Sequence, residues 1–185
     1  MEENECKFEY RVLSELPGGD TEIVYIPNKY PGVRRDGVMV KFLPKNGKPW
    51  VGIFAFGDML PKGESQVLSG PGSKHFTIMA KGDAYIASPY NPESIVHVKS
   101  CPAIRAIPIP SRNLMLFHDY TELVAYNEKG IAWETERISW DGIEIDEVTD
   151  TKIIGKSWDA PTEKHVKFIV DLIDGSHKGG SSPPY

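Results

Sequence analysis

The chain from Asn113 to Gly175 alternates short apolar runs with turn signals. Short apolar runs separated by glycine, asparagine and aspartate are typical of antiparallel strands joined by tight turns. The centres of these runs lie about 8 to 15 residues apart, which is the spacing of a meander in a sandwich or barrel-like sheet. The pattern therefore predicts strands at Leu114–Phe117, Glu122–Tyr126, Ile131–Ile138, Gly142–Val148, Lys152–Ser157 and Val166–Ile173.

Two β-hairpins are predicted in the N-terminal half of the chain. Val38–Leu43 and Trp50–Phe56 flank an Asn46-Gly47 dipeptide, which tolerates the positive φ angles of a tight hairpin turn. His75–Ala80 and Ala84–Ala87 flank a second turn that contains a glycine. Together with the later strands, these hairpins predict an all-β, mainly antiparallel protein with little helix. Its meander sheets are expected to form a β-sandwich or a partial-propeller arrangement.

Three segments have a less regular pattern. Residues 5–16 fit either a first strand or one short helix. Residues 57–74 form a long loop, which is either functional or contains a short element around Gln66–Leu68. Cys101–Pro110 carries three prolines. Because proline has no N–H to donate to a β-ladder, we expect an edge strand or an extended crossing there.

Composition bears on the number of domains. The chain has 185 residues, of which 40% are hydrophobic and 25% are charged, as is usual for a soluble globular protein. We expect a single β-rich domain over residues 1–175. Residues 176–185 are small, polar and rich in proline, and this composition predicts a disordered tail.

Net charge and cysteine usage exclude several classes of partner. The formal net charge of −5 argues against a nucleic-acid or anionic-membrane surface, because phosphate binding requires clustered lysine and arginine. The chain has no apolar run long enough to span a membrane, and its first residues do not form a signal peptide. We therefore expect a cytoplasmic protein in which Cys6 and Cys101 are reduced thiols.

Short catalytic signatures are absent from the sequence. It contains no phosphate-binding glycine motif, no nucleophile elbow and no paired cysteines, and its five histidines are scattered singly. No metal or cofactor is therefore expected. The most suggestive pair is His118-Asp119, where the histidine could act as the general base of a hydrolase. The alternative is that Asp119 caps a turn by bonding to its own backbone, and the sequence favours this alternative.

Acidic residues and tryptophans instead indicate a binding surface. From Ile131 to Asp150 there are seven acids and one base, a net charge of −7 + 1 = −6. Two Trp-Asp dipeptides lie eighteen residues apart, and an exposed indole beside a carboxylate can stack on a ligand. The candidate binding residues are Trp133, Glu134, Glu136, Trp140, Asp141, Glu144, Asp146, Glu147, Trp158 and Asp159.

These candidates support three functional hypotheses. The leading one is a non-catalytic binding protein, of the immunity or adaptor type, whose acidic, Trp-containing face engages a protein partner with a basic surface. The second is a carbohydrate-binding module that uses Trp140 and Trp158. The third is a hydrolase centred on His118 and Asp119. For any single tryptophan, the alternative to a binding role is a place in the core.

One local resemblance adds to this interpretation. Val124–Trp133 (VAYNEKGIAW) places an alanine before a turn and a tryptophan after it, and Phe168–Gly175 (FIVDLIDG) enters an Asp-x-x-Asp-Gly turn. Residues 114–175 thereby resemble a β-propeller blade of the pyrroloquinoline-quinone-repeat kind. The resemblance implies four-stranded antiparallel blades, and 185 residues are enough for at most four of them, so it implies a partial propeller.

Overall fold

A computed structural model describes residues 8–27, 36–58 and 64–183 of the chain. The predicted all-β, mainly antiparallel fold is confirmed, because sixteen strands within these ranges form four four-stranded sheets. Among the same residues, the only helical element is a single 3₁₀ turn, Pro110–Arg112, and no helix is long and apolar enough to cross a membrane. Cys6 lies outside these ranges, whereas Cys101 is a free, exposed thiol.

The first sheet, sheet I, has the strand order β1-β3-β4-β2. Its strands are β1 (Phe8–Leu13), β2 (Glu22–Ile26), β3 (Gly37–Pro44) and β4 (Trp50–Ala55). The predicted β3–β4 hairpin is confirmed. In the segment at residues 5–16, which fits a strand or a helix, Phe8–Leu13 is a strand that pairs along its whole length with β3, and residues 5–7 lie outside the described ranges. The parallel pairing of β2 with β4 was not predicted, because hydrophobic periodicity carries no information about strand direction.

The other three sheets are antiparallel meanders that follow the order of the chain. Sheet II contains β5 (Ser65–Ser69), β6 (Phe76–Ala80), β7 (Asp83–Ser88) and β8 (Asn91–His97). Sheet III contains β9 (Arg105–Ile109), β10 (Leu114–His118), β11 (Leu123–Asn127) and β12 (Gly130–Glu134). Sheet IV contains β13 (Ile143–Val148), β14 (Lys152–Asp159), β15 (Lys164–Asp171) and β16 (His177–Gly179).

Two of the segments with a less regular pattern, residues 57–74 and 101–110, each contribute a strand to these sheets. The long loop contains β5, so the expected short element around Gln66–Leu68 is present. The proline-rich segment contributes β9, which is an edge strand of sheet III, as predicted. The ten residues that carry the propeller resemblance form the β11–β12 hairpin. Many strand–turn–strand sequences would do the same, so the family relation itself stays a prediction.

The sheets pack face to face in the order I, II, III, IV. On β6, Ile78 contacts the core shared with sheet I, and its neighbour Met79 contacts the core shared with sheet III. On β10, Phe117 contacts the core shared with sheet II, and Leu116 contacts the core shared with sheet IV. Sheets II and III are therefore covered on both faces. This explains why every residue of β6 and β10 is buried, without alternation along either strand.

Two sequence predictions about this region are wrong. The strand predicted at Ile131–Ile138 ends at Glu134, and the residues after it cross towards sheet IV. Ile138 is buried in the core between sheets III and IV although it is not in a strand, and its N–H bonds to the carbonyl of Thr121 at 2.9 Å. An apolar residue in the sequence pattern predicts burial, but it does not tell a strand from a connecting segment that is fixed by a hydrogen bond.

The second wrong prediction concerns residues 177–181 of the tail predicted to be disordered at 176–185; residues 184 and 185 lie outside the described ranges. Residues 177–179 form β16, which pairs with β15, and Ser181 donates its N–H to the carbonyl of Ile138 at 2.8 Å. Composition suggested disorder because the segment has few apolar residues to bury. The segment is held instead by main-chain hydrogen bonds, which need no large side chains.

Candidate functional site

Sheet IV presents one face to the core and the other face to solvent. Along β14, Ile153, Gly155, Ser157 and Asp159 are buried, whereas the residues between them are half-buried or exposed. Since successive side chains of a strand point to opposite faces, Trp158 lies on the outer face and Asp159 lies on the inner one. The side chains of this Trp-Asp dipeptide therefore face solvent and the core, respectively, and cannot form one surface.

The outer face carries an aromatic pair with charged neighbours. Trp158 is half-buried and lies opposite His165 of β15, with ring centroids 5.3 Å apart and ring planes at 64°. The Nε2 atom of His165 lies 3.6 Å from Oε1 of Glu144. Gly142 bonds to the main chain of Trp158 on the other side and has no side chain to present there. The indole thus has a polar neighbour on one flank and a glycine on the other.

Basic residues of the neighbouring strands partly offset the acidic residues of β13. Lys156 faces Glu144 in the β13–β14 register, and its Nζ lies 3.3 Å from Oδ1 of Asp146. The side chains of Lys156 and Asp146 are 40% and 45% exposed, and ion pairs at that exposure are weak. We define the Trp158 face as Glu144, Asp146, Lys156, Trp158 and His165. Its ion pairs, at 3.3 and 3.6 Å, are partly exposed to solvent.

Two of the predicted binding residues, Trp133 and Asp159, are buried. Trp133 is 6% exposed, donates its Nε1–H to the carbonyl of Leu172 at 3.0 Å, and packs against Gly175. Asp159 is 8% exposed and accepts hydrogen bonds from the hydroxyls of Thr162 and Ser181. The Ser181 hydrogen bond, followed by that of Thr162, lowers the pKa of the Asp159 carboxyl. For Trp133, the structure thus corresponds to the core alternative.

Glu134 and Glu136 form a second acidic group on and beside β12, the edge strand of sheet III. Glu134 accepts a hydrogen bond from Lys99 Nζ at 2.7 Å, and this bond raises the pKa of Lys99. Glu136 is exposed and lines a shallow depression of about 360 Å³ with Glu134 and Asp174. Asp141 and Glu147 are also exposed, at the turn before β13 and within β13.

Trp140 is half-buried and has polar partners of its own. Its Nε1–H donates to Ser181 Oγ at 3.2 Å, and its carbonyl accepts from Arg137 Nη2 at 2.7 Å. Its N–H donates to the carbonyl of Trp158 at 3.1 Å. The polar atom of this indole is therefore used by the chain itself, unlike an open stacking platform.

The geometry at His118 and Asp119 is that of a capped turn. Asp119 Oδ1 accepts from the N–H and hydroxyl of Thr121, at 2.6 and 3.0 Å, and from the N–H of Glu122 at 2.9 Å. His118 is 4% exposed, and its Nδ1 lies 2.9 Å from the carbonyl oxygen of Asp119, a hydrogen bond that the ring donates. Burial, followed by the positive charge of Arg105, lowers the pKa of His118. The Asp119 carboxylate thus accepts hydrogen bonds from Thr121 and Glu122 of its own turn, and His118 bonds to the Asp119 carbonyl.

Sequence reasoning did not single out Thr162 or Ser181 as contributors to these groups, and it did not pair His165 with Trp158. The predicted strands ended at Ser157 and began again at Val166, so neither Trp158 nor His165 was assigned to the β14–β15 hairpin. The signal for His165 was present, because extending both strands by one residue pairs it with Trp158. No local signal links Ser181 to Asp159, since the two residues are 22 positions apart.

The described residues contain no group of three or more histidine, cysteine, aspartate and glutamate side chains able to hold a metal ion. Comparisons of the chain with protein-family models, with characterised proteins and with solved structures found no significant match.

Proposed function

We propose that this chain is a non-catalytic, β-rich binding protein that engages a protein partner through the Trp158 face, in the manner of an immunity or adaptor protein. The observation that supports this most is the half-buried Trp158 on the outer face of sheet IV, next to His165 and the Glu144 carboxylate. Tryptophan is enriched at binding hot spots because it offers a large rigid apolar surface. The proposal places the protein in the cytoplasm, where its few cysteines stay reduced.

The chemistry of this face favours a basic side chain of the partner. A lysine or arginine over an indole contributes roughly 0.5–2 kcal/mol through cation–π attraction. Glu144 and Asp146 lie on the same face and add carboxylates for the same cation. These exposed charges act mainly on the association rate and on orientation, while the indole supplies the buried contact. A partner with a basic patch around a protruding lysine or arginine matches this arrangement.

The two alternatives have less support. The carbohydrate hypothesis uses Trp140 and Trp158 as one platform, but the Nε1–H of Trp140 already bonds to Ser181. The hydrolase hypothesis uses Asp119, whose carboxylate is bonded to Thr121 and Glu122. A nucleic-acid ligand is disfavoured by the net charge of −5.

The proposal is tested by reversing the charge of β13. The variant E144K/D146K/E147K places three lysines on and beside the Trp158 face. The control E9K/E15K/D20K makes the same change of charge at three exposed positions on and after β1 of sheet I. We expect quantitative cross-linking capture from lysate to fall at least tenfold for the β13 variant, which corresponds to about 1.4 kcal/mol, and to be retained by the control. Equal capture by the wild type and the β13 variant would contradict the proposal.

A further inference from the structure

Residues 177–181 are bound along the edge of β15 like an added peptide. His177, Lys178 and Gly179 pair in register with Val170, Ile169 and Phe168. Beyond this strand, Gly180 donates its N–H to the carbonyl of Lys167 at 3.0 Å, and Ser181 donates its N–H to the carbonyl of Ile138 at 2.8 Å. The segment thus passes between two walls. One wall is the edge of β15, and the other is the connection between sheets III and IV that contains Ile138.

The hydroxyl of Ser181 is recognised at the end of this path. It donates to Asp159 Oδ1 at 2.5 Å and accepts from Trp140 Nε1 at 3.2 Å. The site therefore offers an acceptor and a donor to one hydroxyl group. A hydrogen bond to a charged group is worth about twice a neutral one, so the carboxylate makes this position selective for a hydroxyl.

Two consecutive glycines let the segment pass between the walls. A Cβ atom at Gly180 would lie 2.7 Å from the carbonyl oxygen of Ile138, and a Cβ atom at Gly179 would overlap the carbonyl oxygen of Lys167. Both glycines have positive φ, +76° and +79°, which other residues rarely adopt. The walls therefore select Gly-Gly followed by a hydroxyl-bearing residue.

The residues of the two walls also make hydrogen bonds and strand pairings with parts of the chain outside residues 177–181. Ile138 is 1% exposed and bonds through its N–H to Thr121. Lys167 is paired with Lys156 of β14, the Asp159 carboxylate accepts from Thr162, and the N–H of Trp140 donates to Trp158. Each group that contacts residues 180 and 181 is thus held in place by other parts of the chain.

We propose that the edge of β15, with Ile138, Trp140 and Asp159, is a peptide-binding groove for extended segments that contain Gly-Gly-Ser, and that residues 177–181 fill it in cis. In this groove the Asp159 side chain points to the opposite face of sheet IV from the Trp158 side chain, and the proposal does not depend on the function proposed for the Trp158 face. The cis segment is tethered by the tight turn after β15, where Gly175 bonds back to Asp171. A tether this short gives an effective concentration on the order of mM, so a segment of a partner enters only when the cis segment is displaced.

The test vacates the groove in the full chain. Gly180→Val places a branched side chain against the Ile138 carbonyl and at a strained φ. Because the walls have hydrogen bonds of their own, we expect the variant to expel residues 179–181 and to keep the walls in place. The probe is a fluorescein-labelled peptide with the sequence of residues 176–183, SHKGGSSP. We expect it to bind G180V at least tenfold more tightly than the wild type. The peptide with S181A should lose at least tenfold in affinity for G180V, and the peptide with S182A should not.

Two results of the peptide titration would overturn the proposal: binding to G180V no tighter than to the wild type, or equal binding of the S181A peptide. Should G180V fail to fold by circular dichroism, hydrogen exchange of the full-length S181A and S182A variants replaces it. The main-chain amides at positions 180 and 181 should exchange at least tenfold faster in S181A than in S182A. Equal exchange in the two variants would show that Asp159 and Trp140 do not recognise the hydroxyl.

Discussion

Trp158 and His165 face each other across the β14–β15 hairpin, with ring centroids 5.3 Å apart, on the outer face of the last sheet. Asp159, the next residue, points to the inner face and is held by two hydroxyls. One strand thus supplies two sites with different chemistry. The outer face has a half-buried indole and partly exposed ion pairs, whereas the inner face has a buried carboxylate that accepts from two hydroxyls.

Removing His165 tests how firmly the outer pair is held. The side chain of His165 is 43% exposed, and a cross-strand aromatic pair contributes roughly 0.2–1 kcal/mol. We expect H165A to lower the free energy of unfolding by no more than about 1 kcal/mol, measured by urea denaturation, and to shift the tryptophan emission maximum. K164A, at the neighbouring exposed position, is the control. A loss far above that range would mean that the hairpin depends on this pair.

Replacing a core leucine tests the face-to-face packing of the sheets. Leu116 is fully buried in the core between sheets III and IV, so L116A should lower the free energy of unfolding by about 2–5 kcal/mol. Ile131 is 49% exposed on β12, and I131A should cost less than about 0.5 kcal/mol. Urea denaturation of both variants gives the comparison. Similar losses for the two would contradict the packing order of the sheets.

His118 makes stability dependent on pH. Burial lowers its pKa below the value of about 6.5 that it has in the unfolded chain, so the unfolded state binds more protons below that pH. The free energy of unfolding should therefore decrease as the pH falls from 7.5 to 5.5. In H118N the amide can still donate to the Asp119 carbonyl but does not titrate, and the decrease should be smaller. A slope for H118N identical to that of the wild type would exclude this role for His118.

The sequence was sufficient for strands and turns but not for their long-range partners. The hairpins flanking Asn46-Gly47 and Lys81-Gly82 were predictable because both strands and the turn are local in sequence. The parallel contact of β2 with β4 and the docking of Ser181 on Asp159 are set by tertiary hydrogen bonds. Neither leaves a local signature.

Strand boundaries limited the prediction of the candidate site in the same way. With the strand ending at Ser157, Trp158 and Asp159 belonged to a turn, where both could face one partner. Because β14 extends to Asp159, alternation places the two side chains on opposite faces. A shift of two residues in one boundary therefore divides one expected surface into an outer face that carries Trp158 and an inner face that carries the buried Asp159 carboxylate.

Partner capture by a Trp158 variant tests the proposed function most directly. W158A removes the indole from the outer face, and W158F retains an aromatic ring there. We expect W158A to lose at least tenfold in quantitative cross-linking capture while its circular dichroism spectrum stays that of the wild type, with W158F intermediate between them. Capture by a folded W158A equal to that of the wild type would contradict the assignment of this face as the partner surface.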